Sequence, residues 1–349
     1  MIISYSRITL FSNGQNPNRN AIPDSTRLFF PGQGKRESTS RNSFKCQVIS
    51  VNDSPYPITK LQSNGNKFHN DEEAKLANKW RDIHGRNNWE DMLEPIDPLL
   101  RAELIRYGDM TQACYDAYNL DRSCKNDPSL FFKITGRSKQ GYDFASYIYS
   151  KCLTHSIWPR DWSHKANWIG YVAVSDDEYS AHLGRRDKTI AWRKTTKDVE
   201  EIADLIDLQR PARDYQMPGR DPTIRIEAGF LKIYRRKDDK CNLCKFSTRE
   251  QVLNEVKRLI DRYSDEEVSI TITGHSLGSA LAIINAYDIA EIGLNVREDG
   301  RVIPLCVFSF SGPRVGNIRF KQRLEGFGVK VLRVVNKHDK LAGIQQPDY

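Results

Sequence analysis

The segment VSITITGHSLGSALAIINAYDIA, residues 268–290, holds the pattern that carries the most chemistry in this chain. Gly274-His275-Ser276-Leu277-Gly278 fits G-x-S-x-G, with an alternating apolar stretch before it and a helix-like stretch after it. A serine on a tight strand-to-helix turn presents its hydroxyl above the sheet as a nucleophile, and the glycines relieve crowding where strand and helix meet. The helix N-terminus behind it favours developing negative charge, and the Leu277 N–H is one oxyanion donor. The competing assignment is a helix N-cap serine after a glycine turn.

A serine nucleophile needs a base, and the base needs an orienting carboxylate. On a strand–turn–helix scaffold of this kind the chain order is Ser, acid, His. Asp339 follows the strand-like VKVLRVVN within NKHD and is the candidate acid, against an ordinary turn aspartate. Only KLAGIQQPDY follows it, and none of these residues is His. His338 adjoins Asp339, His275 adjoins Ser276, and His155 and His164 lie upstream, against the expected order. The expectation is a chain that stops before its His. An uncovered VKVLRVVN edge would follow from that.

These residues need a scaffold, and the periodicities describe one. WIGYVAVS (168–175), KTIAWRK (188–194), VSITITG, IPLCVFSFSG (303–312) and VKVLRVVN read as strands. STREQVLNEVKRLIDRY (247–263) is an amphipathic helix with a serine cap, SLGSALAIINAYDIAEI (276–292) a helix closed by Gly293, and 317–325 a third. Alternation of strand and helix predicts a parallel α/β sheet with its site at the carboxyl ends of the strands. The region before it reads as helical. A capping-box pattern at 70–73 opens a helix to about residue 84, and Asp97-Pro98 starts LLRAELIRYGDMTQACYDAY. Residues 121–140 read as a loop and FASYIYSKCL (144–153) as a short helix. The predicted organisation is therefore 1–50 disordered, 70–165 helical and packed on the core, and 166–349 the α/β core.

Composition narrows the function classes. The net charge of +8 is concentrated in residues 1–50, where Arg7, Arg19, Arg27, Lys35, Arg36, Arg41 and Lys45 face only Asp24 and Glu37. The body is nearly balanced, which argues against a nucleic-acid partner. No apolar run approaches the roughly 20 residues that cross a bilayer. The Ser-, Asn- and Arg-rich, acid-poor first 50 residues lack a secretory apolar core and read as an organelle transit peptide, chloroplast before mitochondrion, or as a plain tail. Seven scattered cysteines do not make a disulfide framework. Cys241 and Cys244 form C-x-x-C without a second pair at zinc spacing, which favours a surface loop over a metal site and leaves a redox pair open.

WEDMLEPIDPLLRAELIRYGDMTQACYDAY, WIGYVAVSDDEYSAHLGRRDKTIAWR, KFSTREQVLNEVKRLIDRY, GHSLGSALA and VFSFSGPRVGN together resemble the plant chloroplast class I phospholipase A1 family, class III lipases with the α/β-hydrolase fold. The similarity runs over about residues 70–340, interrupted at 121–140. It implies hydrolysis of the sn-1 acyl ester of phosphatidylcholine, and of galactolipids and triacylglycerols, at a bilayer surface. It implies no metal and no organic cofactor, and it supports the chloroplast leader. Ser276 matches the family nucleophile and Asp339 its acid. Thr195 matches the oxyanion turn, where the family's AWRGT reads Ala191-Trp192-Arg193-Lys194-Thr195. Lys194 replaces a glycine there, and Glu201 stands where the family often has Trp. A lid is expected at about 206–225. With Lys194, Glu201 and the absent His, a catalytically inactive lipid-binding protein and a truncated gene product stand as alternatives to the hydrolase. Oligomeric state is not encoded in any of these features.

Overall fold

A computed structural model describes residues 8–11, 76–120, 130–151, 166–193, 221 and 223–336. All of these described residues belong to one compact unit.

That unit is built on a seven-stranded sheet of order β1-β7-β6-β5-β4-β3-β2. The strands are β1 Ile8–Phe11, β2 Tyr142–Lys151, β3 Ala166–Ser175, β4 Arg186–Trp192, β5 Val268–His275, β6 Leu305–Phe310 and β7 Lys330–Asn336. β4 to β7 run parallel, whereas β2, β3 and β1 pair antiparallel to their neighbours. The sheet is thus mixed, with the expected parallel core at its centre. The helices among the described residues include α1 Pro98–Leu120, α2 Asp177–Leu183, α3 Ala228–Arg235, α4 Thr248–Arg262, α5 Leu277–Glu291 and α6 Ile318–Gly326. This is the α/β-hydrolase arrangement.

Both faces of the sheet are covered, so its central strands are apolar on both sides. On one face Ile190, Trp192, Ile270, Ile272 and Val307 pack against α3, α4, α5 and α6. On the other, Ala191, Tyr171, Phe308 and Leu332 pack against α1 and the helical residues 76–83. The expected start of α1 is confirmed, since Asp97 Oδ1 accepts the N–H groups of Leu99 at 2.8 Å and Leu100 at 3.2 Å. Ser247 and Glu250 close a reciprocal capping box on α4. Gly293, at φ 70°, turns the chain just after α5.

Three expectations are corrected. FASYIYSKCL is not a helix; Tyr142–Lys151 is strand β2, with bulges between Phe144 and Ser146 and between Ile148 and Tyr149. Its Phe, Tyr and Ile side chains suit a pleated, doubly covered surface. Phe144, Tyr147 and Tyr149 turn to one core and Ala145 and Ile148 to the other. The region 70–165 is therefore not purely helical, and it contributes a strand to the same sheet. Residues 130–140, expected as loop, hold a short helix Phe131–Ile134 whose Phe131 meets Tyr147 and Trp168 edge to face and Phe144 and Tyr171 at a tilt. Finally, the β7 edge is not bare: Ile8–Phe11, inside the stretch expected to be disordered, pairs along Arg333–Asn336. An extended segment satisfies edge N–H and C=O groups that would otherwise face solvent.

At the amino ends of the parallel strands lies a buried polar knot. Asp187, fully buried, accepts hydroxyl hydrogen bonds from Ser269 (2.7 Å), Thr271 (2.6 Å), Tyr142 (2.6 Å), Thr189 (2.8 Å) and Tyr107 (2.9 Å). Arg106 donates to the Tyr142 hydroxyl and Arg185 to the Ser269 and Tyr107 hydroxyls, so two cations reach the carboxylate through intervening hydroxyls. Burial pushes the Asp187 carboxyl up, but Arg185, Arg106 and the Thr271 hydrogen bond overcome it and hold the group well below its ordinary value. Beside it, burial pushes the His84 imidazole well down, with Arg185 adding to the effect, so a neutral ring accepts from Arg185 Nη2 at 2.9 Å. On the opposite face Lys188 is also fully buried. Its Nζ has no hydrogen-bond partner among the described residues and lies 5.5 Å from the Tyr263 ring. Burial lowers its amine to about 7, with Asp187 opposing.

Two outcomes are expected in denaturant melts. Asp187→Asn leaves the arginines facing a neutral group and lowers stability by about 3–5 kcal/mol at pH 7; the gap to the parent shrinks in acid, as the parent's own carboxylate becomes protonated. Lys188 is depressed to about 7 in the folded chain, against about 10.4 unfolded. The unfolded chain therefore binds more protons between these values, and stability rises with pH across that window. Lys188→Met flattens the rise and is the more stable protein at pH 7.

Candidate active site

Ser276 stands between the last residue of β5 and the first of α5, with φ 56° and ψ −124°. A non-glycine residue held there costs about 1–3 kcal/mol and needs surrounding structure to hold it. Its N–H donates to Phe310 O at 2.9 Å, and its C=O accepts from Ser279 N–H at 2.9 Å. The Ser279 hydroxyl lies 2.5 Å from Gly274 O and 3.1 Å from Phe310 O, tying the helix to both strand ends.

The flanking glycines act through close approach. A Cβ on Gly274 would lie 2.4 Å from the Gly278 carbonyl, and one on Gly278 would lie 2.5 Å from Trp192 O. Neither has positive φ. The first turn of α5 is thus wedged between the ends of β5 and β4, as the crowding argument expects.

The same geometry separates nucleophile from N-cap. Asp176, Ser247 and Asn317 are extended in backbone and accept from N–H groups of the helices they open. Ser276 is in the positive-φ region and makes no capping hydrogen bond. Its side chain is free for other use, and the residue is 5 % exposed. Leu277 opens α5, so its N–H has no intrahelical acceptor and stands available to an oxyanion.

β4 ends beside the elbow and leads into the stretch expected to hold Thr195. Trp192 pairs with Gly274, and Arg193 N–H donates to Ile169 O at 2.9 Å. Arg193 is a residue at the strand end that sequence reasoning did not single out. Its guanidinium lies 3.9 Å from the centre of the Tyr118 ring and donates to Asn167 Oδ1 at 2.8 Å, fixing the strand end beside the elbow. Tyr115 and Tyr118 arrive together because they are three apart on α1. Lys194, Thr195, Glu201 and Asp339 lie outside the described residues, as do most of the expected lid at 206–225 and the capping pattern at 70–73. β7, which leads to Asp339, ends beside β6 at the elbow's end of the sheet; Ser311 N–H donates to Val334 O at 2.8 Å.

Three histidines are described. His84 belongs to the Asp187 knot and His182 stacks on Tyr179 within α2, both at the amino ends of the parallel strands. His275 turns toward α1, with Nδ1 3.2 Å from the Tyr115 hydroxyl and the rings edge to face. None of the three is in a position expected of a general base for Ser276. Cys241 and Cys244 are both reduced and buried in the loop before α4. Among the described residues no group of His, Cys, Asp or Glu could hold a metal ion, and no helix is long and apolar enough to cross a membrane.

The lipase (class 3) family matches residues 189–348, which include the elbow and Asp339. Phospholipase A1-Igamma1, chloroplastic, of Arabidopsis thaliana is 50 % identical over 289 residues, covering 78 % of this chain and 56 % of that protein. Phospholipase A1-II 6 of Oryza sativa subsp. japonica is 38 % identical over 287 residues, covering 75 % and 69 %. The chain belongs to the phospholipase A1 family of class 3 lipases. Galactolipase DONGLE, chloroplastic, of Arabidopsis thaliana is a further relative, 42 % identical over 274 residues and covering 76 % of this chain and 58 % of that one. This phospholipase A1 family member spans little more than half the length of its Igamma1 and DONGLE relatives.

Strain at the elbow of this family member can be measured without any substrate. Ser276→Gly tolerates positive φ and is expected to be more stable than Ser276→Ala by about 1 kcal/mol. Denaturant midpoints of the two variants check this; equal midpoints would mean that the elbow carries no strain.

Proposed function

We propose that the protein is a lipid acyl hydrolase of phospholipase A1 type, working in the chloroplast on the sn-1 acyl ester of phosphatidylcholine, with galactolipids and triacylglycerols as further substrates. The observation that carries this is the strained, uncapped Ser276 at the N-terminus of α5, in a chain of this family. Its hydroxyl attacks the ester carbonyl and forms an acyl-enzyme, and water then releases the fatty acid. The Leu277 N–H and the turn at Thr195 receive the oxyanion. The serine proton needs a His oriented by Asp339 to take it and return it to the leaving alcohol, a role that none of His84, His182 and His275 fills. Relatives named as chloroplastic phospholipases and a galactolipase support the lipid class and the compartment, as does the basic, acid-poor composition of residues 1–50.

A second reading is lipid binding without turnover. It is favoured by the positions of His84, His182 and His275, and by Lys194 and Glu201 in place of the family's Gly and Trp. Release of fatty acid from phosphatidylcholine labelled at sn-1 distinguishes the two. For the hydrolase, Ser276→Ala lowers the rate on the order of 10⁴-fold or more. Equal rates for parent and variant would remove Ser276 from the chemistry, and vesicle binding with no release would favour the second reading.

A further inference from the structure

The loop between α3 and α4 lies at the same end of the sheet as Ser276. α4 leads back to the amino end of β5, so its first residue, Thr248, stands at the carboxyl end. Thr248 Oγ1 and Gln251 Nε2 each donate to Tyr149 O at 3.0 Å, and Tyr149 is near the carboxyl end of β2. β2 runs in the same direction as β4 and β5 and is three strands from β5. At about 4.8 Å per strand, the loop stands roughly 14 Å to the side of the elbow.

The loop is held from behind and apolar in front. Asp238 N–H donates to Cys244 O at 2.8 Å, and Cys244 N–H to Cys241 O at 3.0 Å, closing a turn. Gln251 Nε2 donates to Phe246 O at 2.9 Å, and the Ser247–Glu250 capping box follows at once. Cys241 and Cys244 face inward, while Asn242, Leu243, Lys245 and Phe246 face out. Leu243 is 50 % exposed, and Phe246, at 60 %, is the most exposed large apolar side chain among the described residues. Lys237, Lys240 and Lys245 are exposed around them, against the single exposed acid Asp239. The exposed Val296 and Val302, by contrast, lie on the connection from α5 to β6 at the other end of the sheet, among the mixed charges of Arg297, Glu298, Asp299 and Arg301.

A pinned apolar tip inside a ring of lysines is complementary to a bilayer surface carrying anionic glycerolipid. We propose that residues 237–246 are a membrane-docking site. Leu243 and Phe246 enter the acyl boundary, Lys237, Lys240 and Lys245 lie at headgroup level, and Ser276 is thereby turned toward the lipid. The assignment builds on the lipid-hydrolase reading, but its test needs no turnover.

The full chain is sedimented with vesicles of phosphatidylcholine plus phosphatidylglycerol and with vesicles of phosphatidylcholine alone, across a range of salt. The parent binds the mixed vesicles more tightly, and salt weakens that preference. Leu243→Asp and Phe246→Asp each lower partitioning on the order of tenfold. Lys240→Glu and Lys245→Glu each lower it about fivefold on mixed vesicles, with little change on phosphatidylcholine alone. Val296→Asp with Val302→Asp binds as the parent does. The proposal is overturned if the loop variants, folded by circular dichroism, partition like the parent, or if the valine variant loses as much. Loop-dependent binding without fatty acid release sinks only the hydrolase reading; hydrolysis with no loop dependence sinks only the docking site.

Discussion

Three backbone segments meet at the elbow at distances that leave no room for a side chain, and the candidate chemistry depends on that contact. The end of β4, the end of β5 and the first turn of α5 touch through Trp192, Gly274 and Gly278. Any β-carbon at either glycine would push the helix off the sheet. Because the helix cannot retreat, the reversal falls on Ser276, which takes φ 56°. The strain is balanced by the nearly complete burial of α5, whose residues from Leu277 to Ala290 are all inside. A helix buried on every side is fixed by its surroundings rather than by one face. It therefore supplies a firm base against which a strained residue can be held.

The two ends of the sheet are built for different ends. At the amino ends of the parallel strands, Asp187 ties α1, β2, β4 and β5 through five hydroxyls and is reached by two arginines. Such a network is worth keeping only when fully satisfied, and here the carboxylate is. It locks strand register at the end of the sheet away from the elbow. At the carboxyl ends the strands release their chains into loops, and the elbow, the β4 exit, the β7 exit and the loop before α4 all lie there. Rigidity at one end allows the other to be assembled from segments distant in sequence.

Much of this was legible in the sequence, and for identifiable reasons. The elbow carries its own punctuation in two glycines. The caps at Asp97 and Ser247 are side chains that announce helix starts, and β3 to β7 are apolar runs of strand length. β2 was not legible, because its alternation is hidden when both faces are apolar and two bulges break the period. Phe131 was hidden by the polar residues before it. Asp187 and Lys188 gave no signal either: adjacent residues on a strand face opposite sides of the sheet, and their partners lie up to 84 positions away. Arg193 reads as an ordinary surface cation until Tyr118 is brought over it.

Arg193 bears on how far the substitution at 194 matters. In the family pattern a glycine follows this arginine, and its freedom is what the oxyanion turn would draw on. Yet the point from which the chain enters that turn is set earlier. Trp192 is in register with Gly274, the Arg193 N–H is bonded to Ile169, and the Arg193 guanidinium is fixed by Tyr118 and Asn167. Four contacts from α1, β3 and β5 thus define the exit of β4 before residue 194 is reached. Lysine there alters the conformations open to the turn, not the place where it begins. The Leu277 N–H stands at the start of α5, whose place is set by the Gly274 and Gly278 contacts with β5 and with Trp192 rather than by residue 194.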